Sequence, residues 1–377
     1  MNLGVSEEQR ELRESVRRFL AERAPLTRVR ELMETTDGTD PDVWRQASTQ
    51  LGLPGIAVPE EYGGAGFSFA EQAIVLEELG AALFTGPYLA SAVLAAHALL
   101  ASDDEAAKKD LLPGIAAGET VATRAFTEDD GSWDPAAIQL AATKNAARQT
   151  HDGWRLDGHK SFVLDGHAAD LVLAVAATET GQLSLFAVTA TADGLTRRPL
   201  PTLDQTRKLA RLAFDRTTAR LIGEPGQGRA VLDRTLDEAA VALAAEQLGG
   251  AQRALDMAVE YAKVRQQFGR PIGSFQAIKH RCADLLLEVE SLRSAVGYAA
   301  AAVAAGSTEV PVLAPLLQAY ASEVYSHVAG ENIQIHGGIG FTWEHDAHLY
   351  LKRAKASELF LGDASYHRER LATQIGL

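Results

Sequence analysis

Hydrophobic periodicity changes character twice along this chain, and those changes constrain the fold more than any single motif. Apolar residues first recur at helical spacing: Leu12, Val16, Phe19 and Leu20 behind a capping-box pair Ser6/Gln9, then again over 41–52, 69–83 and 89–101. The connecting LGLPGIAVPEEYGGAG is dense in Gly and Pro and reads as turns. From about residue 120 to 222 the pattern becomes short β-type runs such as TVATRAF, GWRLDGHKSFVL, ADLVLAVAAT, LSLFAVTA and RKLARLAFDRTTARLI. Asp-Gly pairs (Asp152-Gly153, Asp157-Gly158, Asp165-Gly166) punctuate them. Beyond Gly223-Glu224-Pro225-Gly226, long helical patterns cover 228–266, 273–305 and 311–335. The expected fold class is α+β: an N-terminal helical domain (1–118), a middle antiparallel β-barrel or sandwich (119–224) and a C-terminal four-helix bundle (225–377).

Composition narrows function. At 377 residues the chain exceeds a single hydrophobic core, and 46% hydrophobic with 23% charged residues is an ordinary globular balance. A net charge of −14 argues against a nucleic-acid surface. Cys282 is the lone cysteine, so neither a disulfide within the chain nor a cysteine-pair zinc site is available, which suits a reducing cytoplasm. The charged N-terminus does not read as a signal peptide, and no run approaches the roughly 20 apolar residues of a membrane span.

Familiar catalytic signatures are missing: no GxGxxG follows a strand, GGIGF at 337–341 follows a helix without a Walker lysine, and no GxSxG occurs. His280 and His336 lack a metal-spacing partner and read as structural or surface residues. Three segments carry more specific chemistry. Around the Phe-Gly break in AKVRQQFGRPIGSFQ, Arg265, Phe268 and Gln276 combine a fork donor, an apolar platform and an amide, as a dinucleotide needs. In QIHGGIGFTWE, the glycines let backbone approach a pyrophosphate, with Gln334 beside them. The third is Phe126-Thr127-Glu128 with Gly131-Ser132, at a strand end.

With SEEQRELRESVRRFLAE, VPEEYGGAG, AFTE, RQQFGRPIGSFQAIKHRCAD and QIHGGIGFTWEHDAHLYLKRAK in this order, the chain resembles the acyl-CoA dehydrogenases over nearly its whole length. The resemblance implies FAD as cofactor, an acyl-CoA substrate, an electron-transferring flavoprotein as acceptor, and a tetramer. It implies that Phe126 and Thr127 lie along the flavin ring and Ser132 near the pantetheine. Arg265 and Phe268, with Gln276, would meet the diphosphate and adenine of a neighbouring subunit's FAD, and Gln334, Gly337 and Gly338 its phosphates. It also implies the reaction: a carboxylate takes the α-proton of the thioester while hydride leaves the β-carbon for flavin N5.

That carboxylate is absent from both places where the family carries it. The C-terminal position is Leu361, followed by Gly362-Asp363, and the helix position is Ala239, followed by Ala240. Leu164 stands where a hydroxyl residue commonly meets flavin N5. Three readings stay open. A nearby carboxylate (Glu238, Glu246 or Asp363) serves as base; the chain is the non-catalytic partner in a heterotetramer of two kinds of chain, rather than a homotetramer; or the fold serves a flavin oxidase or monooxygenase. The small residues Ala239, Ala240, Ala242, Ala245, Gly249 and Gly250 leave space for a bulky, polycyclic acyl group such as lipid or steroid catabolism would supply, or serve close helix packing.

Overall fold

The computed structural model describes residues 6–144 and 153–377; Asp152 and the first five residues lie outside that range. The chain has helices at its N-terminal end, a β-rich middle and helices to its C-terminal end, and it divides into two compact units.

The first unit contains the N-terminal stretch through Arg30, residues Phe69–Phe84 and everything from Ala240 on. The second contains Glu31–Ser68 and Thr85–Ala239. Thus α1 (Glu7–Arg23) belongs to the first, while α2 (Leu26–Met33) straddles the division and α3 (Pro41–Leu51) belongs to the second. Helix α4 (Phe69–Ala81) belongs to the first; a π-helical stretch Leu89–Ala95, continued by α5 (Ala96–Leu100), and then α6 (Glu105–Ala116) belong to the second. Local chemistry sets several of these limits. Ser6 and Gln9 form the capping box of α1, each side chain meeting the other's backbone N–H. Asp40 caps α3, Pro41 occupies its first turn, and Gly52 closes it with φ +61°.

The β-rich unit holds β1 (Ala122–Ala125), β2 (Ala141–Lys144), β3 (Trp154–Leu164), β4 (Leu171–Thr178), β5 (Leu183–Thr189), β6 (Leu195–Leu200) and β7 (Leu209–Ile222). The pairings β4–β2–β3–β7–β5–β4 close a ring, with β1 on β4 and β6 on β7. Most pairs are antiparallel, as expected, but β1 and β2 each run parallel to β4. Closure removes the open edges a sheet would otherwise present. Trp154, Leu156, Val172, Phe186, Leu212 and Phe214 fill the interior, with the Trp154 and Phe186 rings 5.3 Å apart. The short strands β2 and β6 escape the sequence pattern because each is largely exposed on alternate residues or throughout.

The long α7 (Gly228–Val264) begins in the β-rich unit and continues in the helical one. After it come a tiny hairpin of β8 (Gln266–Gln267) and β9 (Arg270–Pro271), then α8 (Gln276–Ala304), α9 (Val310–His336), α10 (Ala347–Leu359) and α11 (Ala364–Ile375). In this unit the α4 and α7 backbones nearly touch. A Cβ on Gly80 would sit 1.9 Å from the Glu246 oxygen, and one on Gly249 would sit 1.7 Å from the Glu77 oxygen. A Cβ on Gly250 would collide with the Tyr325 ring at 2.4 Å. Gly249 and Gly250 of the small-residue stretch are therefore taken up by helix packing, the second of the two readings the sequence left open for them. Around this contact, Glu77 and Glu78 are buried against arginines of α1 and α8. Arg13 bonds Glu77 at 2.8 Å, Arg17 bonds Glu78 at 2.8 Å, and Arg293 also meets Glu77.

Candidate active site and cofactor cradle

In the β-rich unit the chemistry gathers where β1 ends. Strand β3 carries a bulge between Lys160 and Val163, and Phe162 there takes φ +57° with its ring 40% exposed. The bulge frees Ser161 to pair with the strand-end segment: its N–H donates to the Thr127 carbonyl at 2.9 Å, and the Thr127 hydroxyl donates to the Ser161 carbonyl at 2.6 Å. Lys160, fully buried, donates to the Phe126 carbonyl at 2.8 Å and to Glu128 at 2.9 Å. Glu128 also accepts the N–H groups of Gln139 and Leu140. Burial lowers the Lys160 ammonium to about 8, against the pull of Glu128. Beyond it, Asp129 takes a two-pronged bond from Arg211 and further bonds from Ser161 and His159, so its carboxyl lies far below the usual range.

Phe126 is buried with its ring stacked on Trp133 at 5.4 Å, and Ser132 sits half-buried in the turn beside it. Leu164 is buried and offers no polar atom. Arg124, 4% exposed, donates to the Thr235 hydroxyl at 2.6 Å while its second amino group has no hydrogen-bond partner. Burial lowers this guanidinium to about 10.

The three candidate bases are each engaged elsewhere. Glu238 is buried, 2.7 Å from His97 Nδ1 and 2.9 Å from Arg234. Burial raises its carboxyl, but those two bonds outweigh burial and leave it below its ordinary value. Glu246, in the helical unit, lies 2.7 Å from Arg353, both side chains buried. Asp363 is exposed and caps α11 by accepting the Tyr366 N–H at 2.8 Å. At the two usual base positions, Ala239 is 1% exposed and Leu361 is 3% exposed. Leu361 holds the left-handed conformation at φ +68°, ahead of Gly362 at φ +102°. The turn is built there without its carboxylate.

The helical unit assembles the other segments. The β8–β9 hairpin turns through Phe268 (φ +52°) and Gly269 (φ +75°), the two positive values of a two-residue turn of the primed class. That turn leaves Phe268 90% exposed, with Phe275 edge-on at 6.1 Å and Arg270 stacked 4.0 Å over the Phe275 ring. Arg265 and Gln276 are exposed at the two ends of the hairpin segment. Ala258, Ala262 and Ile335 are buried against Tyr261, Ile272 and Ile278, so the end of α7, the start of α8 and the end of α9 share one small core. That core places Gln334, Gly337 and Gly338 in the same packed region as the hairpin. All three are exposed, Gly337 has φ +64°, and a Cβ on either glycine would meet nothing within 4 Å.

A guanidinium fork, two amides, an exposed ring and open glycine backbone suit the phosphates and adenine of a dinucleotide. In the β-rich unit the fit is poorer, because the Thr127 hydroxyl is spent on Ser161 and Leu164 is apolar. Sequence reasoning missed Lys160, Arg124 and the partners His97 and Arg353; only the fold brings Lys160, His97 and Arg353 to their carboxylates and Arg124 to the Thr235 hydroxyl. Among the described residues no group of three His, Cys, Asp or Glu side chains could hold a metal ion, and no helix is long and apolar enough to cross a membrane.

Comparison with known proteins bears on the family. Family profiles for the acyl-CoA dehydrogenase N-terminal, middle and C-terminal domains match residues 6–119, 123–217 and 226–376. The chain is similar to acyl-CoA dehydrogenase IpdE2 of Mycolicibacterium smegmatis, 38% identical over 98% of this chain and 100% of that protein. Among solved structures it resembles the Tcur3481–Tcur3483 steroid ACAD, at TM-score 0.89 and 34% identity over 99% of both chains. It also resembles the ChsE4–ChsE5 complex from Mycobacterium tuberculosis, at TM-score 0.90 and 30% identity over 100% of this chain and 99% of that one. The chain belongs to the acyl-CoA dehydrogenase family of FAD-dependent oxidoreductases.

Proposed function

We propose that this chain is the subunit without a base in a heterotetrameric acyl-CoA dehydrogenase, two copies of each of two kinds of chain, and that it completes the cofactor site of a partner subunit. The observation that carries this reading is the pair of filled base positions. Leu361 and Ala239 are buried and apolar, and Glu238, Glu246 and Asp363 are held by His97 with Arg234, by Arg353 and by a helix cap. The Glu238 carboxyl, held below its ordinary value by His97 and Arg234, is a poor acceptor for a carbon-bound proton, and Glu246 and Asp363 already hold structural partners. Similarity to the Tcur3481–Tcur3483 and ChsE4–ChsE5 proteins, each named as a pair of chains, supports the heteromeric assembly, and the first, a steroid ACAD, supports a polycyclic acyl thioester as substrate.

The cofactor supplies the hydride acceptor of the reaction. The residues of this chain would hold its far end. Arg265 offers two parallel N–H donors to a phosphate, Gln276 and Gln334 offer amides, Gly337 and Gly338 allow close backbone approach, and Phe268 covers the adenine. Phe126, Thr127 and Ser132 are the matching positions of this chain's own ring and pantetheine site. The α-proton goes to a glutamate of the partner subunit, and an electron-transferring flavoprotein reoxidises the complex. Purification of this chain alone and with a family subunit bearing a glutamate at either base position tests the reading. Anaerobic acyl-CoA should bleach the flavin band only in the pair. Bleaching by the chain alone would overturn it.

A further inference from the structure

The turn carrying Gly337 and Gly338 rests on three stacked rings. His336, the last residue of α9, is 5% exposed; its ring lies 4.3 Å from Tyr261 at 27° and 4.2 Å from His345 at 48°. Residues 337–341 sit directly on it, since a Cβ on Gly340 would fall 2.8 Å from the His336 Cβ. Hydrogen bonds fix the proton positions of both imidazoles. His336 Nδ1 lies 2.8 Å from the Asn332 carbonyl, which accepts, so Nδ1 carries its hydrogen. His345 Nδ1 accepts the Ala347 N–H at 3.1 Å, so it carries none.

We propose that Tyr261, His336 and His345 brace the Gly337–Phe341 cradle, and that protonation of the histidines releases it and loosens the hold on the cofactor. The inference deepens the functional reading above and rests on it. A proton added to His345 Nδ1 would set a donor against the Ala347 N–H, and two imidazolium rings at 4.2 Å repel. The groups bearing on the pair are few. From α2, Arg30 donates to the His345 carbonyl at 2.8 Å and its charge opposes a second positive charge there. Asp346 favours that charge but is itself bonded to Arg30 at 2.6 Å. Asn332 of α9 carries no charge, Lys352 of α10 lies 4.0 Å over the Trp343 ring, and the His348 ring stands edge-on to that same ring at 4.7 Å. Burial, with each other's proximity or Arg30, holds both histidines below their ordinary value. The neutral brace is therefore intact above the ordinary histidine range and lost as pH falls beneath it.

His336 and His345 are positioning residues, so the test is flavin release rather than turnover. The flavin-loaded complex is ultrafiltered at about pH 7.5 and about pH 5.5, and flavin in the filtrate is followed by absorbance. The wild type should release flavin several-fold faster at the lower pH, where the histidines take up their protons. His336→Phe keeps a ring in the stack and cannot be charged, and it should shrink that ratio to about twofold. His345→Gln, outside the turn itself, should do the same and serves where the first variant fails to fold. A wild type with no pH step, or an undiminished step in both variants, would overturn the proposal. A complex that holds no flavin at either pH would instead refute the functional reading beneath it.

Discussion

Replacing Glu246 by glutamine separates a structural carboxylate from a catalytic one. Glu246 and Arg353 are 6% and 3% exposed and 2.7 Å apart. The substitution keeps the shape but leaves a guanidinium, always charged, without the carboxylate beside it. Breaking a buried pair from one side costs about 3–5 kcal/mol. At roughly 2–4 °C per kcal/mol for domains of a couple of hundred residues, the apparent Tm should fall by roughly 6–20 °C. Scanning calorimetry or thermal circular dichroism on the assembled enzyme reads this directly. Turnover measured well below that Tm should stay near wild type, because the account gives Glu246 no part in proton abstraction. Glu246→Leu combined with Arg353→Met should recover much of the loss, since neither charge is then stranded. An enzyme with unchanged Tm and abolished turnover would refute the reasoning and make Glu246 the base.

Two further outcomes follow from the same packing. His367 is 1% exposed, and burial, with Arg370 nearby, takes it down to about 4, so folding keeps it neutral where the unfolded chain would protonate. Stability is then complete above the unfolded value near 6.5 and falls with pH toward 4; unfolding free energies from urea titrations at pH 7.5 and 5 should differ by about 2 kcal/mol, and His367→Gln should narrow the gap. Gly249→Ala drives a methyl into the Glu77 carbonyl and should cost about 2–3 kcal/mol, whereas Gly297→Ala, where a Cβ in α8 meets nothing within 4 Å, should gain about 0.5–1 kcal/mol; equal effects in thermal unfolding would contradict the packing account.

Much of the fold was legible because it is written locally. The Ser6/Gln9 box, the Gly/Pro breaks and the change of period each need only a few neighbouring residues. The local geometry of the candidate cradle was legible for the same reason: Phe268-Gly269 dictates its own turn, and Gly337-Gly338 its own openness. The occupation of the candidate bases was not, because Glu238 meets His97 across 141 positions and Glu246 meets Arg353 across 107. Pairing at such separations is a property of the tertiary fold, and no periodicity encodes it. The small residues of 239–251 posed the same difficulty, since room for a ligand and room for a helix look alike until Glu77 is placed opposite Gly249.

The central claim is that this chain lends a cofactor cradle and no base. It is tested most directly by Arg265→Ala with Gln334→Ala in this chain only, within the heteromeric enzyme, measuring bound flavin per complex. The account predicts that flavin is lost although every residue of the partner subunit is intact. A doubly substituted complex that keeps its full flavin and bleaches with acyl-CoA would contradict it.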